Sequence, residues 1–400
     1  MADAAPSQSE RSLRIDILPL AVAQLVIWAS MYYSFPALLP DWERDLGWSK
    51  TQLSGAFTGA LLITALLAPI AGRMIDRGAA RLIHPGGALI GGLLLIALSQ
   101  VTQVWQFYAV WLAMGVMMAV SLYEACFAII TVTTGNRART AITAVTLIGG
   151  FAGTIAFPAA HVLAENFGWR GALICFGLAI ILLVIPLMLW GLRRLERHRI
   201  EPEEVTAEAA APVHAAVTRR PAFWCLALAF GAIGLTHGLI LGHLLPILAD
   251  RGIGEAAAVL AASMIGPMQV VGRAVTMATE KYVNIFGVAI GCYTGMALGS
   301  TALLMAGVAP WLVVVFVLLH GAGYGTASIL RPVLTAELLG RRGFGATAGK
   351  LALPFMCGFA AGPTIAALVW EAAGYDGVLM LALGVICIGL GAVFMAARTA

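Results

Sequence analysis

Apolar residues run unbroken for roughly twenty positions at a time, and charged residues gather in the short gaps between the runs. Read in windows of about 19 residues, the pattern predicts spans near 17–39, 50–71, 85–103, 106–133, 141–163, 171–191, 222–248, 257–277, 285–307, 311–334, 346–370 and 377–397. The runs are continuous rather than alternating, which excludes a barrel of strands. A run of this length matches ~30 Å of hydrocarbon, where backbone groups must satisfy one another inside a helix. The expected fold class is therefore an all-α membrane protein with twelve transmembrane helices.

Composition narrows the class in the same direction. The chain is 60% hydrophobic and only 11% charged, against about a quarter charged in soluble proteins, and its mean hydropathy is +0.92. The net charge of +4 reads as a topology signal, not as a nucleic-acid signal. Arg73, Arg77, Arg81, Arg137, Arg139 and the arginines of 193–220 fall on one side of the predicted membrane, while Arg44, Lys50, Arg170 and Arg251 fall on the other. The excess marks the cytoplasmic side, so both termini are expected in the cytoplasm of a bacterial inner membrane. Met1 to Glu10 lacks the charged start and small-residue cleavage site of a signal peptide. The six cysteines all fall inside spans without paired spacing, and are expected as buried small hydrophobes with no disulfide or metal role.

From Arg193 to Arg220 the chain turns to Glu, Arg, Ala and Pro. This predicts an N-terminal six-helix bundle at 1–192, a cytoplasmic linker at 193–220 and a C-terminal six-helix bundle at 221–400. An internal echo supports the division: Gly72-Arg73 with Asp76 follows span two, and Gly272-Arg273 with Glu280 and Lys281 ends span eight. Small-residue patterns such as Gly86-Gly87, Gly91-Gly92, Gly149-Gly150 and Gly321-Ala322-Gly323 allow close helix approach. Phe157-Pro158, Gly266-Pro267 and Gly362-Pro363 are candidate kinks.

The charged segment after span two is Gly72-Arg73-Met74-Ile75-Asp76-Arg77-Gly78-Ala79-Ala80-Arg81. It resembles the loop between spans two and three of the major facilitator superfamily: Gly, three residues, Asp, Arg, then Gly and a further basic residue. The resemblance implies two pseudo-symmetric six-helix bundles with a substrate site at their interface. It also implies a conformational role for Gly72, Asp76, Arg77 and Arg81, whose interactions break when the halves rock.

Ionisable groups inside spans are costly, so each is a functional candidate. Arg273 lies four residues after Gln269, and both project from one helical face. The stretch Gly266 to Arg273 resembles the eighth span of monocarboxylate transporters, where an arginine binds substrate; Gln269 stands in the place of their acid. A guanidinium suits a carboxylate because its fork makes two charge-assisted hydrogen bonds. Arg273 could equally reach the cytoplasmic surface, or serve as the second-half copy of the loop motif. Tyr32-Tyr33-Ser34-Phe35-Pro36 resembles the aromatic-Phe-Pro stretch of the same carriers, with Ala37 where eukaryotic members place a lysine. Tyr324 and Phe355 join Arg273, Gln269, Tyr32 and Tyr33 as substrate-binding candidates.

Glu124, expected as a buried carboxyl within span four, is a candidate proton carrier, or the partner of a cation from another helix. His237 and His243 in span seven are candidates for proton coupling, or simply hydrogen-bonded. Arg331 and Glu337 at the end of span ten are expected in a gate network or as surface anchors. His161 and His320 fall near span ends and carry less.

No phosphate-cradling loop and no nucleophile–base pair is present in the sequence, so neither an ATP-driven pump nor an enzyme is expected, and no cofactor or metal is called for. The expectation is a secondary active transporter of the monocarboxylate or oxalate–formate exchanger-like branch, working as a monomer in the lipid bilayer. Its expected cargo is a small organic anion, moved by alternating access with proton symport or exchange. Efflux of an amphipathic drug or metabolite is the alternative, and a transporter-derived ligand sensor the second.

Overall fold

The computed structural model describes residues 12–13, 15–199, 218–279, 282–340 and 344–398. The basic residues Arg11, Arg14, Arg341 and Arg342, the linker positions 200–217, and Glu280 with Lys281 lie outside the described residues. The described residues hold helices and no strand.

In chain order, α1 (Leu18–Ile27), a wide turn at Trp28–Tyr32 and α2 (Ser34–Leu46) make span one. Next come α3 (Lys50–Met74) and α4 (Ala80–Leu98), then α5 (Val104–Ser121) and α6 (Tyr123–Thr134), which share span four. Spans five and six use α7 (Ala138–Gly149), α8 (Ala152–Ala179) and α9 (Ile185–Leu195). Span seven is α10 (Pro221–Leu241) with α11 (Leu244–Asp250). The remainder is α12 (Glu255–Thr279), α13 (Ile285–Leu304), α14 (Leu312–Leu339) and α15 (Phe344–Arg398).

Ten helical stretches among the described residues are long and apolar enough to cross a membrane. Two of them, Ala141–His198 of 58 residues and Gly349–Arg398 of 50, each contain a glycine with positive φ inside a long helix. Gly168 (φ 67°, ψ 167°) and Gly374 (φ 64°, ψ −170°) reverse the chain where only glycine adopts the angles without strain. Each stretch therefore holds two spans, and the sequence count of twelve stands. Large apolar side chains such as Leu66, Leu82 and Leu182 are more than 70% exposed, which lipid explains and water would not. Trp105, Trp190, Trp224, Trp311 and Tyr282 are also exposed near helix ends, the depth where amphipathic rings settle.

The loop between spans two and three is short, because helical turns continue into it and the chain turns at Gly78 (φ 88°). Several expectations are corrected. Span four is not one helix, because Leu122 is extended (φ −88°, ψ −165°) and separates α5 from α6. Only Cys126 and Cys292 are buried; Cys357 and Cys387 are exposed, so an apolar span sequence does not by itself place a thiol in a core.

Internal contacts divide the chain into two units, Met1–Trp42 with Gly59–Val205 and Glu43–Thr58 with Thr206–Ala400. The first is centred on rings packed mostly edge to face, Phe35, Trp42, Phe107, Trp111 and Trp169. Arg170 closes it by donating to the Ser99 and Val101 carbonyls while lying over Trp169. In the second unit, spans seven and eleven meet backbone to backbone. A Cβ at Gly234 would lie 2.2 Å from the Phe355 carbonyl oxygen, and one at Gly238 would lie 2.4 Å from that of Phe359. Spans eight and ten meet the same way through Gly272 and Gly325.

Candidate functional site

These close approaches bring a column of rings together inside the second unit. His237 Nδ1 lies 3.1 Å from His320 Nε2, and both imidazoles are buried. Tyr324 stacks on His237 with centroids 3.4 Å apart, and Phe359 lies nearly parallel at 5.9 Å. Phe355 continues the column at 6.4 Å from Tyr324. The Arg331 guanidinium covers Phe355 at 3.9 Å from the ring centroid, a cation–π contact. Tyr324, Phe355, Phe359 and Arg331 are half-buried. His320, passed over in the sequence as a span-end residue, is fully buried and pairs with His237; its partner lies on another helix, 83 positions away, which the sequence does not show.

Gln269 and Arg273 occupy neighbouring turns of α12 against α14. A Cβ at Gly325 would lie 2.1 Å from the Gln269 carbonyl oxygen. Gln269 is buried, and Arg273 is half-buried with its Nε donating to the Gly325 carbonyl at 3.4 Å. Arg273 and Arg331 thus belong to one pair of packed helices. Glu337, two turns beyond Arg331, is exposed.

His243 stands apart from that column. Its Nε2 donates to the Pro363 carbonyl at 2.9 Å and lies 3.2 Å from Ser54 Oγ, and its Nδ1 lies 3.3 Å from the Tyr375 hydroxyl. Near it, Lys50 pairs with Glu43 and covers the Trp370 ring, Thr51 donates to Glu371, and Thr364 donates to Thr58. The segment Glu43–Thr58 is fixed to spans seven and eleven by this set.

In the first unit the wide turn of span one presents Trp28, Tyr32 and Tyr33. Tyr32 is buried and meets Trp28 and Tyr33; Tyr33 lies against Phe157 and Gly153. Tyr123 stacks on Phe127 and touches Trp28. Glu124 lies in the first turn of α6, just after the break at Leu122, and is exposed, contrary to the buried carboxyl expected within span four. Acidic side chains are stabilised at such a helix N-terminus.

The break is held by three buried side chains, two of which the sequence reading missed. His84 Nδ1 donates to the Val120 carbonyl at 2.8 Å, and Gln24 Nε2 donates to the Ser121 carbonyl at 2.9 Å. Gln24, His84 and Ser121 have no exposed surface. His84 falls one residue before the predicted third span, and nothing local marks Leu122 as a break.

At the start of α4, Arg81 pairs with Glu196 at 3.8 Å, and Arg199 holds the same carboxylate at 2.6 and 2.7 Å. These groups line a cleft with Ile75, Thr133 and Leu192. Gly72 and Arg77 sit beside it in sequence, Arg77 exposed; the Asp76 side chain is outside what the structure describes. No group of three or more His, Cys, Asp or Glu able to hold a metal occurs among the described residues.

The sequence pattern describing the Major Facilitator Superfamily matches residues 20–343, well over half of the chain. No curated protein sequence matches it. Among solved structures, the fold is similar to a bacterial homologue of the human lysosomal transporter Spinster in an inward-facing, occupied conformation. That match has a TM-score of 0.75 at 15% identity and covers 99% of this chain and 98% of that one. It is also similar to the nucleoside transporter NupG, with a TM-score of 0.71 at 14% identity over 96% of this chain and 99% of that one. At such identities the likeness shows the fold alone.

Proposed function

The chain belongs to the major facilitator superfamily and is a multi-pass membrane transporter; from that premise we propose that its cargo is a small organic anion, moved by alternating access. A monocarboxylate is the preferred class, carried with a proton or in exchange, across a bacterial inner membrane with both termini cytoplasmic. The observation that supports this reading is a pair of arginines held within the spans of one unit. Arg273 on α12 rests on the Gly325 carbonyl, and Arg331 on α14 covers Phe355. Ionisable groups are kept at such depth where they serve a pathway or a ligand, and a guanidinium meets a carboxylate through a two-point fork. His237 and His320 pair at the far end of the ring column that Arg331 covers, and are the candidates for proton coupling.

The test is a thermal-shift screen of the purified protein against formate, lactate, pyruvate and benzoate, with Arg273→Ala in parallel. A carboxylate at a hundred times its Kd stabilises a binder by about 2.7 kcal/mol. The expected result is a rise in Tm for the parent that the variant lacks. Equal shifts in both proteins would remove Arg273 from the site.

A second reading draws on the first unit, where Trp28, Tyr32, Tyr33, Tyr123, Phe127 and Phe157 lie near the exposed Glu124. Rings with one carboxylate suit an amphipathic cation and its efflux. Stabilisation by amphipathic amines, with none by carboxylates, would place this reading first; nucleosides belong in the same panel because NupG, of similar fold, is a nucleoside transporter. Saturable binding without flux in proteoliposomes would instead indicate a ligand sensor.

A further inference from the structure

We propose that His84 is the site where the coupling proton binds, and that its protonation remakes the broken fourth span. The inference rests on the proton-coupled reading above, and it names a residue outside the ring column. In an unbroken helix the carbonyls of Val120 and Ser121 would accept from the amides of Glu124 and Ala125. The extended Leu122 turns them away from those partners, and buried carbonyls must find others. His84 takes the first and Gln24 takes the second.

That arrangement fixes the state of the ring. A carbonyl only accepts, so His84 Nδ1 carries the hydrogen and Nε2 of the neutral ring is the acceptor. Nε2 lies 3.5 Å from Gln24 Nε2, the same amide nitrogen that donates to Ser121. The other end of that amide is idle: Gln24 Oε1 is buried without a hydrogen-bond partner. A buried acceptor left unmade is costly, and here it sits one amide rotation from the atom that would receive a proton.

Protonation at Nε2 would set two donors face to face. Rotation of the Gln24 amide resolves the conflict, since Oε1 then accepts from Nε2–H and gains the partner it lacks. The same rotation withdraws the donor from the Ser121 carbonyl. The freed carbonyl recovers a partner in the Ala125 amide once Leu122 returns to helical angles, which joins α5 to α6. The joined helix re-aims Tyr123 and Glu124. Tyr123 packs against Gly149 of span five, where a Cβ would lie 2.0 Å from its hydroxyl oxygen, so the change passes to a neighbouring span. No atom is gained or lost except the proton.

The groups that face the ring are few. Span one supplies Gln24 and span four supplies Val120 and Ser121, all uncharged. Span six approaches α4 through Gly177, Ile180 and Ile181, none of which titrates. On its own helix, Arg81 lies a turn away and is paired with Glu196; Glu124 is the first carboxylate past the break.

Hydrogen exchange tests the switch without any substrate. Peptides covering 118–128 are compared at pH 5 and pH 8, with rates corrected for intrinsic exchange, in the parent, His84→Gln and Gln24→Leu. In the parent, the amides of Glu124 and Ala125 should gain at least tenfold protection in acid. His84→Gln should show the unprotected level at both pH values. Gln24→Leu, which removes the competing donor, should show the protected level at both, so the two variants deviate in opposite directions and a general folding defect cannot mimic both. Equal protection of the parent at the two pH values, or a parent-like response in His84→Gln, would overturn the proposal. Proteoliposomes loaded with a pH-sensitive dye and exposed to lactate, pyruvate or benzoate separate the site from the coupling. Proton movement that persists in His84→Gln overturns the assignment and leaves coupling intact; no movement in the parent overturns coupling itself and the proposal with it.

Discussion

Asp16 ties the start of span one to the end of span six through the side chains of Arg194 and His198. Its carboxylate accepts from Arg194 at 2.8 Å and from His198 at 2.9 Å, and Arg137 donates to the His198 carbonyl at 3.2 Å. Burial alone would raise the Asp16 pKa, but the hydrogen bonds from His198 and Arg194 and the Arg194 charge outweigh it and hold the group below its usual 3.8. A depressed carboxylate pKa contributes stability that is present above the unfolded value and lost as pH falls through the folded one. Asp16→Asn should therefore cost about 1–3 kcal/mol at pH 7, and melting curves of parent and variant should converge below pH ~4. A constant gap across pH would mean that the carboxylate charge contributes nothing. Neither this clasp nor His84 was legible in the sequence, for one reason. Each depends on partners 36 to 182 positions away, and a lone polar residue at a span end carries no sign of what it will meet. Arg273, Glu124 and His237 were legible because an ionisable residue inside an apolar run is conspicuous, yet which way each points was not.

At the scale of the helices, close packing selects some glycines and ignores others. In span seven, Gly231, Gly234, Gly238 and Gly242 recur at three- and four-residue intervals and face span eleven, a spacing visible in the sequence and read there only as general small-residue use. Of the pair Gly86-Gly87, only Gly87 is in close contact: a Cβ there would meet Val120 and Ser121 beside the break. Gly238→Val should destabilise the protein by about 1–3 kcal/mol or more through overpacking, with loss of monodisperse protein on size exclusion. Gly384→Ala, where nothing lies within 4 Å, should leave Tm and yield unchanged. Equal damage by both would show that helix flexibility, not packing, is what these glycines provide. Span ends were less legible than spans, because hydropathy reports the lipid boundary while the helices run past it, as α14 does to Leu339.

For the molecule as a whole, an even number of spans predicts that the C-terminus lies on the side of the N-terminus. With the positive-inside bias of the arginines, C-terminal reporter fusions should be active for a cytoplasmic fluorescent protein and silent for alkaline phosphatase. The converse pattern would invert the topology, and with it the side from which the Arg81–Glu196–Arg199 cleft is reached. The glycine face of span seven also bears on how the chain is made. Its mates, from Pro354 to Pro363, emerge from the ribosome about 120 residues later, roughly 6–24 seconds at bacterial elongation rates. Through that interval span seven waits in the bilayer with bare backbone and the imidazole of His237 uncovered. The nascent second unit should then be open to membrane insertases and quality-control proteases for as long as translation takes to cross spans eight to ten.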